Sequence, residues 1–428
     1  MMDKGAKAAV PTQYRGYQWF VLAAGILMMF ITFMTSLVFA PLMGVIANGV
    51  GVSIGAASFG FMGIMMFANA IFVLFWGYLV DKIGIFRVIL GGLGVLFATH
   101  LLYPVFGNSY NAVVVLRVLT AFGGAPGLIM IEPIVSRWIP VKQRGFALGL
   151  NSLSVFGAVT GYILGPMLVG WAGNWQAGLA WLSVIIGAAI IYVMVVAYAV
   201  RNNQPTVMPA LAVERVSADE NFLKILGRNP AFWLGLAVMA LSNWANNAFN
   251  DLSPGYLAVD PPIGVGYGPE QAGRLASGNM VGIMLGIFVG GIIIDKIFKG
   301  RSGLLVMVGF IANLIFFNGI LFPEIHSNPS VLSGWLLATG FVNPFTAVGN
   351  QYFAVRSFSY RIIGKVAAAW TCISNFVGSF GVMIGSYALH TTGNYYLSFI
   401  IVAVICILGF IAALVSRERR SAIETNAR

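Results

Sequence analysis

Charge is scarce in this sequence. Of 428 residues only 9% are Asp, Glu, Lys or Arg, against about 25% in a soluble domain. There are two cysteines, Cys372 and Cys406, both inside late apolar runs, and three histidines. That excludes a disulfide framework, and no His/Cys/carboxylate group has metal-ligand spacing. A Walker loop is missing, so ATP drive from within the chain is not expected. No activated nucleophile is in view, so the chain is expected not to be an enzyme and to need neither metal nor cofactor.

What the sequence has is apolar length. It is 59% hydrophobic, with a mean hydropathy of +0.88. A crossing takes about 20 apolar residues, which leaves room for about twelve. The runs are continuous rather than alternating, which selects helices over barrel strands. The expected fold is an all-α integral membrane protein with twelve transmembrane helices in two pseudo-symmetric six-helix bundles. The runs are 18–47, 54–80, 86–106, 111–136, 145–170 and 176–200, then 230–257, 270–294, 303–322, 330–354, 363–389 and 396–415. They are called spans 1 to 12. The first is too long for the core of a signal peptide, and polar, basic residues precede it.

With the N-terminus inside, all but Arg117 and Arg274 of the 24 basic residues fall on inner segments. Asp251, Asp260, Glu270 and Glu324 fall at or near the outer face. This asymmetry is the positive-inside pattern. It places both termini in the cytoplasm and the chain in the cell (inner) membrane. The net charge of +11 is then a report of topology, and no nucleic-acid partner is expected. The bundles are 1–200 and 230–428, the latter with a cytoplasmic tail. Residues 201–229, with Pro205, Pro209 and mixed charges, read as a cytoplasmic linker.

A charged turn between spans 2 and 3 runs Gly77-Tyr78-Leu79-Val80-Asp81-Lys82-Ile83-Gly84-Ile85-Phe86-Arg87. Half a chain later Gly291-Ile292-Ile293-Ile294-Asp295-Lys296 repeats its first part. The turn resembles the loop between helices 2 and 3 of the major facilitator superfamily. Arg137-Trp138-Ile139-Pro140, Arg144 to Gly149, Gly161-Tyr162-Ile163-Leu164-Gly165-Pro166, Asn229 to Trp233 and Thr392 to Tyr395 extend the resemblance over nearly the whole chain. The loop after span 4 and the start of span 12 are similar to oxalate/formate–monocarboxylate exchangers and to anion–cation symporters. Span 11, however, has no lysine, and Gly124 stands where many of those symporters carry a glutamate. The resemblance implies alternating access around a central cavity, driven by protons or by solute exchange. The expected partners are a small-molecule solute, membrane lipid and protons as coupling ion, and a monomer is expected. The solute expected is a small organic anion, a carboxylate. A drug or lipophile exporter, suggested by the span 5 glycines, and a transporter-like ligand sensor are the alternatives.

Ionisable or amide groups inside a membrane are costly and mark function. Arg117 in span 4 is either a cavity cation for a carboxylate or a structural arginine bonding backbone carbonyls. Asn243, Asn246, Asn247 and Asn250 line one face of span 7, and Asn343 and Asn350 one face of span 10. With Asn69 of span 2 they are candidate solute contacts, the alternative being helix–helix glue. His100 reads as hydrogen-bonded structure and Arg274 as a rim group. Gly77, Asp81, Lys82, Gly84, Arg87, Glu132, Arg137, Arg144 and Asp295 form the expected cytoplasmic gate, with Glu132 either a latch partner for the basic groups or a proton carrier.

Overall fold

The computed structural model describes residues 16–140, 143–201, 229–358 and 363–426. Within them every regular element is helical. Eleven helices are long and apolar enough to cross a membrane. Pro230–Ala258, 29 residues long, has the length of a crossing too. Its apolar character is diluted by Asn243, Asn246, Asn247, Asn250 and Asp251. With it the spans number twelve, as expected. The predicted linker lies outside the described residues except at its edges, Arg201 and Asn229.

Several spans are broken where the sequence makes an unbroken helix expensive. Span 1 runs Tyr17–Leu37 and then Phe39–Val50. Pro41 has no N–H and its ring crowds the carbonyl of Leu37, so the helix parts at Val38. Thr32 and Thr35 bond back to the carbonyls of Met28 and Ile31, at 3.0 and 2.8 Å, which bends the turn before the break. Span 2, Ile54–Val80, contains a π-helical turn at Phe59–Gly63. Span 4, Tyr110–Trp138, tightens to a 3-10 turn at Ala125–Leu128 around Pro126. Span 8, Gly268–Ile297, ends in a second π-helical turn, Ile293–Ile297. Between spans 2 and 3 the chain reverses at Gly84, whose φ of 87° is available to glycine and strained for other residues.

The first six spans close around one apolar core that includes Met28, Met34, Leu93, Leu96, Ile134 and Ile186. The second six have their own, in which Phe249 stacks on Phe317 at 4.2 Å. The two halves meet where span 1 packs on span 7, span 2 on span 11 and span 5 on span 8. Under the internal repeat, the second and third pairings are copies of each other.

One end of the molecule carries the basic loops around Arg87, Arg137 and Lys296. It is called here the basic end, and the opposite end the far end. The contacts between the halves cluster toward the far end. Ser53, just before span 2, meets His390 of span 11 at 2.7 Å, and Phe67, near mid-depth, packs on Phe376 and Phe380. Glycines let the backbones touch there: a Cβ on Gly55 would lie 2.3 Å from the His390 nitrogen, and one on Gly273 2.0 Å from the Tyr162 carbonyl oxygen.

Candidate functional site

Arg117 is 0% exposed. Its Nε donates to the Phe61 carbonyl at 2.7 Å, inside the π-helical turn of span 2. Nη1 donates to the Thr35 carbonyl and Nη2 to the Ser36 carbonyl, at 2.9 and 2.8 Å, beside the break in span 1. The guanidinium also lies 4.1 Å over the Phe39 ring and 3.1 Å from the Met62 sulfur. Both helix irregularities free carbonyls, and one planar fork collects them. Every one of these partners belongs to the first half. The structure therefore places Arg117 in a packing joint, with its donors engaged, and does not bring it to the asparagines.

The asparagines of spans 7 and 10 do come together. Asn246 Oδ1 accepts from Asn250 Nδ2 at 2.8 Å and from Asn343 Nδ2 at 2.7 Å. Asn250 Oδ1 accepts from Asn279 of span 8 at 2.9 Å. A carbonyl oxygen has two lone pairs, so Asn246 has spent its acceptor and keeps its NH2 group for something else. Asn246 is half-buried, whereas Asn250, Asn279 and Asn343 are buried. Asn243 donates to Ser374 and Asn375 of span 11, at 2.9 and 3.1 Å. Asn247 is half-buried beside Gly378.

Two other predicted contacts are placed as helix–helix ties. Asn350, buried, donates to the Gly235 carbonyl at 2.8 Å, and Asn69 donates to the Ala121 carbonyl at 3.2 Å. His100 is fully buried, with Nδ1 2.8 Å from the Leu96 carbonyl. Arg274 is exposed at the far end and pairs with Glu270 four residues before it.

Asp251 departs from the expectation that it lies at the outer face. It is 3% exposed, inside span 7, one residue beyond the asparagine network. The charge count assigned it to the face although the run 230–257 already contained it, and the helix does continue past it to Ala258. Ser58 of the first half donates to its Oδ2 at 2.7 Å, and Ser58 is 2.6 Å from Ser386 of span 11. Its Oδ1 is buried without a partner. Next to it, the Tyr162 hydroxyl donates to the Asn250 carbonyl at 2.8 Å, again across the halves. Asp260, Glu270 and Glu324 are exposed at the far end, as expected.

At the basic end the predicted gate residues are spread over both halves. Lys82 lies 4.3 Å over the Tyr78 ring. Arg87, Glu132 and Arg137 are exposed, and Gly77 is half-buried. Arg144 caps the carbonyls of Ser136 and Ile139, at 2.8 and 3.2 Å. Asp295 accepts from the Tyr352 hydroxyl at 3.2 Å, inside the second half. The Asp81 side chain lies outside the described residues.

The Major Facilitator Superfamily model matches residues 25–261 and 261–428. An uncharacterized protein of Campylobacter jejuni is 28% identical over 116 residues, 26% of this chain and 36% of that protein, so the match spans about a third of the relative's length. Among solved structures, a bacterial homolog of the human lysosomal transporter Spinster, inward-facing and unoccupied, superposes with a TM-score of 0.73 at 15% identity, covering 94% of this chain and 98% of that one. The Escherichia coli xylose transporter XylE in a partially occluded inward-open conformation gives 0.68 at 12% identity, covering 92% and 96%. An autoinhibited POT family peptide transporter gives 0.64 at 15%, covering 94% and 97%.

Proposed function

Because this chain belongs to the major facilitator superfamily and is a transporter rather than an enzyme, we propose that it moves a small, oxygen-rich polar solute by alternating access, held through the amides of spans 7 and 10. The observation that carries this reading is the double acceptance at Asn246 Oδ1. It turns the Asn246 amide so that donors are left over, and leftover donors select a solute that offers acceptors. Toward the basic end of the same helix, Asn243 spends its amide hydrogens on Ser374 and Asn375 of span 11. The amides sit near the middle of span 7, a helix that packs on span 1 of the other half, and repeat-built transporters hold their solutes near mid-depth at such a boundary.

Organic acids fit this chemistry through their carboxylate oxygens. The charge of such an acid is not met by Arg117, whose fork is occupied within the first half. An acid would therefore travel with a proton as its charge partner, and a neutral polyol would need none. In cells the basic end faces the cytoplasm, by the placement of its lysines and arginines. Contacts at the far end then hold the outer side shut, and the protein faces inward. Asp81, Lys82, Arg87, Glu132, Arg137, Arg144 and Asp295 act in the opposite conformation, where the basic end closes.

The test is a melting-temperature panel of carboxylates and polyols on purified protein, followed by counterflow of the hits in proteoliposomes. A binder of the folded state raises the midpoint. Saturable counterflow that Asn246→Ala weakens supports the site. Unchanged affinity in an Asn246→Ala/Asn343→Ala double variant would sink it.

A further inference from the structure

We propose that Asp251 is a proton-binding site through which closure of the far end is coupled to proton uptake. This rests on the alternating-access reading above and adds the ion to it.

Asp251 combines three properties. It is buried in a membrane-spanning helix. It is bonded across the boundary between the halves, through Ser58. And one of its carboxylate oxygens has no partner. The hydrogens around it can be assigned. Ser58 has a single O–H, which it gives to Asp251 Oδ2, so the hydrogen between Ser58 and Ser386 comes from Ser386. The chain of donors ends at the carboxylate, and no donor among the described residues reaches Oδ1. An ionised carboxylate with a bare oxygen is costly to hold in a buried interface. A proton on Oδ1 removes the charge and leaves the bond from Ser58 in place.

The charged and titratable groups around it come from the packed elements on each side. Arg117 of span 4 acts on it through space, and it acts on Tyr162 of span 5 and Tyr395 before span 12. None of the three makes a hydrogen bond or ion pair to the carboxylate among the described residues. Arg117 gives its hydrogen bonds to carbonyls of its own half, and its charge acts on Asp251 through space alone. His390, one turn beyond Ser386, is held by Ser53 and is exposed.

The bond from Ser58 joins the halves, so opening the far end breaks it and admits water to the carboxylate. Hydrated, Asp251 releases its proton to that side. Closing the far end strips the water away and requires the proton back. The proton on Asp251 is therefore a condition for the conformation seen here.

The experiment reads conformation and needs no solute. Spin labels at Asn108 and Ser327, exposed far-end positions on the two halves, report the opening in full-length protein reconstituted in nanodiscs, with Cys372 and Cys406 replaced by Ser. Wild type should shift toward the longer distance as pH rises, and Asp251→Asn, which keeps the acceptor for Ser58 and carries no charge, should lose that shift and stay at the short distance. His390→Gln and Ser58→Ala should keep the pH response. A wild-type distance that ignores pH, or a pH response that survives in Asp251→Asn, overturns the proposal. In the second case the ends still open and close, so alternating access stands while the Asp251 assignment fails.

Discussion

Arg117 donates its Nε to the carbonyl of Phe61, 2.7 Å away, from span 4 into a π-helical turn of span 2. A π turn leaves a carbonyl without its usual helical partner. The arginine supplies that partner and ties in the break of span 1 as well.

Replacing Arg117 should therefore cost stability more than recognition. Arg117→Ala leaves two buried carbonyls and a part-buried one short of a donor, a loss of about 2–4 kcal/mol. Arg117→Lys keeps the charge but not the fork and should also be destabilised. The check is the melting midpoint in detergent together with solute affinity of the fraction that folds. A lower midpoint with unchanged affinity is expected; the reverse pattern would restore Arg117 as a solute contact.

Asn246→Ala should weaken solute binding by about 1 kcal/mol per lost hydrogen bond, roughly 5-fold in affinity, and also lower the melting midpoint, because the buried amides of Asn250 and Asn343 lose their acceptor. Asn350→Ala should lower the melting midpoint with little effect on affinity, because its amide binds the Gly235 carbonyl. Equilibrium binding of a panel hit to both variants separates the two roles.

Gly273→Val should prop the far end open. Its side chain would meet the Tyr162 carbonyl of the other half. Labelling of a Ser386→Cys variant by a membrane-impermeant maleimide measures this. Labelling should rise several-fold in the Gly273→Val background, and equal labelling would count against far-end closure at this seam.

Ser58→Cys with Ser386→Cys, in a background lacking Cys372 and Cys406, should cross-link on oxidation, since the native hydroxyls are 2.6 Å apart. Counterflow should stop and return with reductant. Full transport by the oxidised, cross-linked protein would mean that the far end need not open.

Much of this architecture is legible in the sequence because lipid leaves few options. The continuous apolar runs could only be helices, and the bias of Lys82, Arg137 and Lys296 to one side fixed their number. The asparagine stripe of span 7 was visible as a spacing. Its continuation was visible too: Asn243, Asn247 and Asp251 recur at intervals of four, a signal that places the acid on the same helix rather than past its end. Asn279, the one asparagine in span 8, was likewise readable. The placement of Arg117 was not. It depends on two helix breaks in other spans, and a break made by Pro41 shows locally while the carbonyls it frees point to a partner distant in sequence. Ser58 and Ser386 carry no motif, and their meaning exists only where the halves meet.

The glycines at that meeting place bear on speed. Gly55 and Gly273 present bare backbone to the opposite half, so parting there requires few long side chains to unlock or to change rotamer. Surfaces of this kind separate with little friction. A seam of large interdigitated residues would hold as firmly at rest but would have to unpack tooth by tooth. At these two points the small residues act as a bearing, and the side chains that must let go are those of Ser53 and His390 and of Phe67 against Phe376 and Phe380.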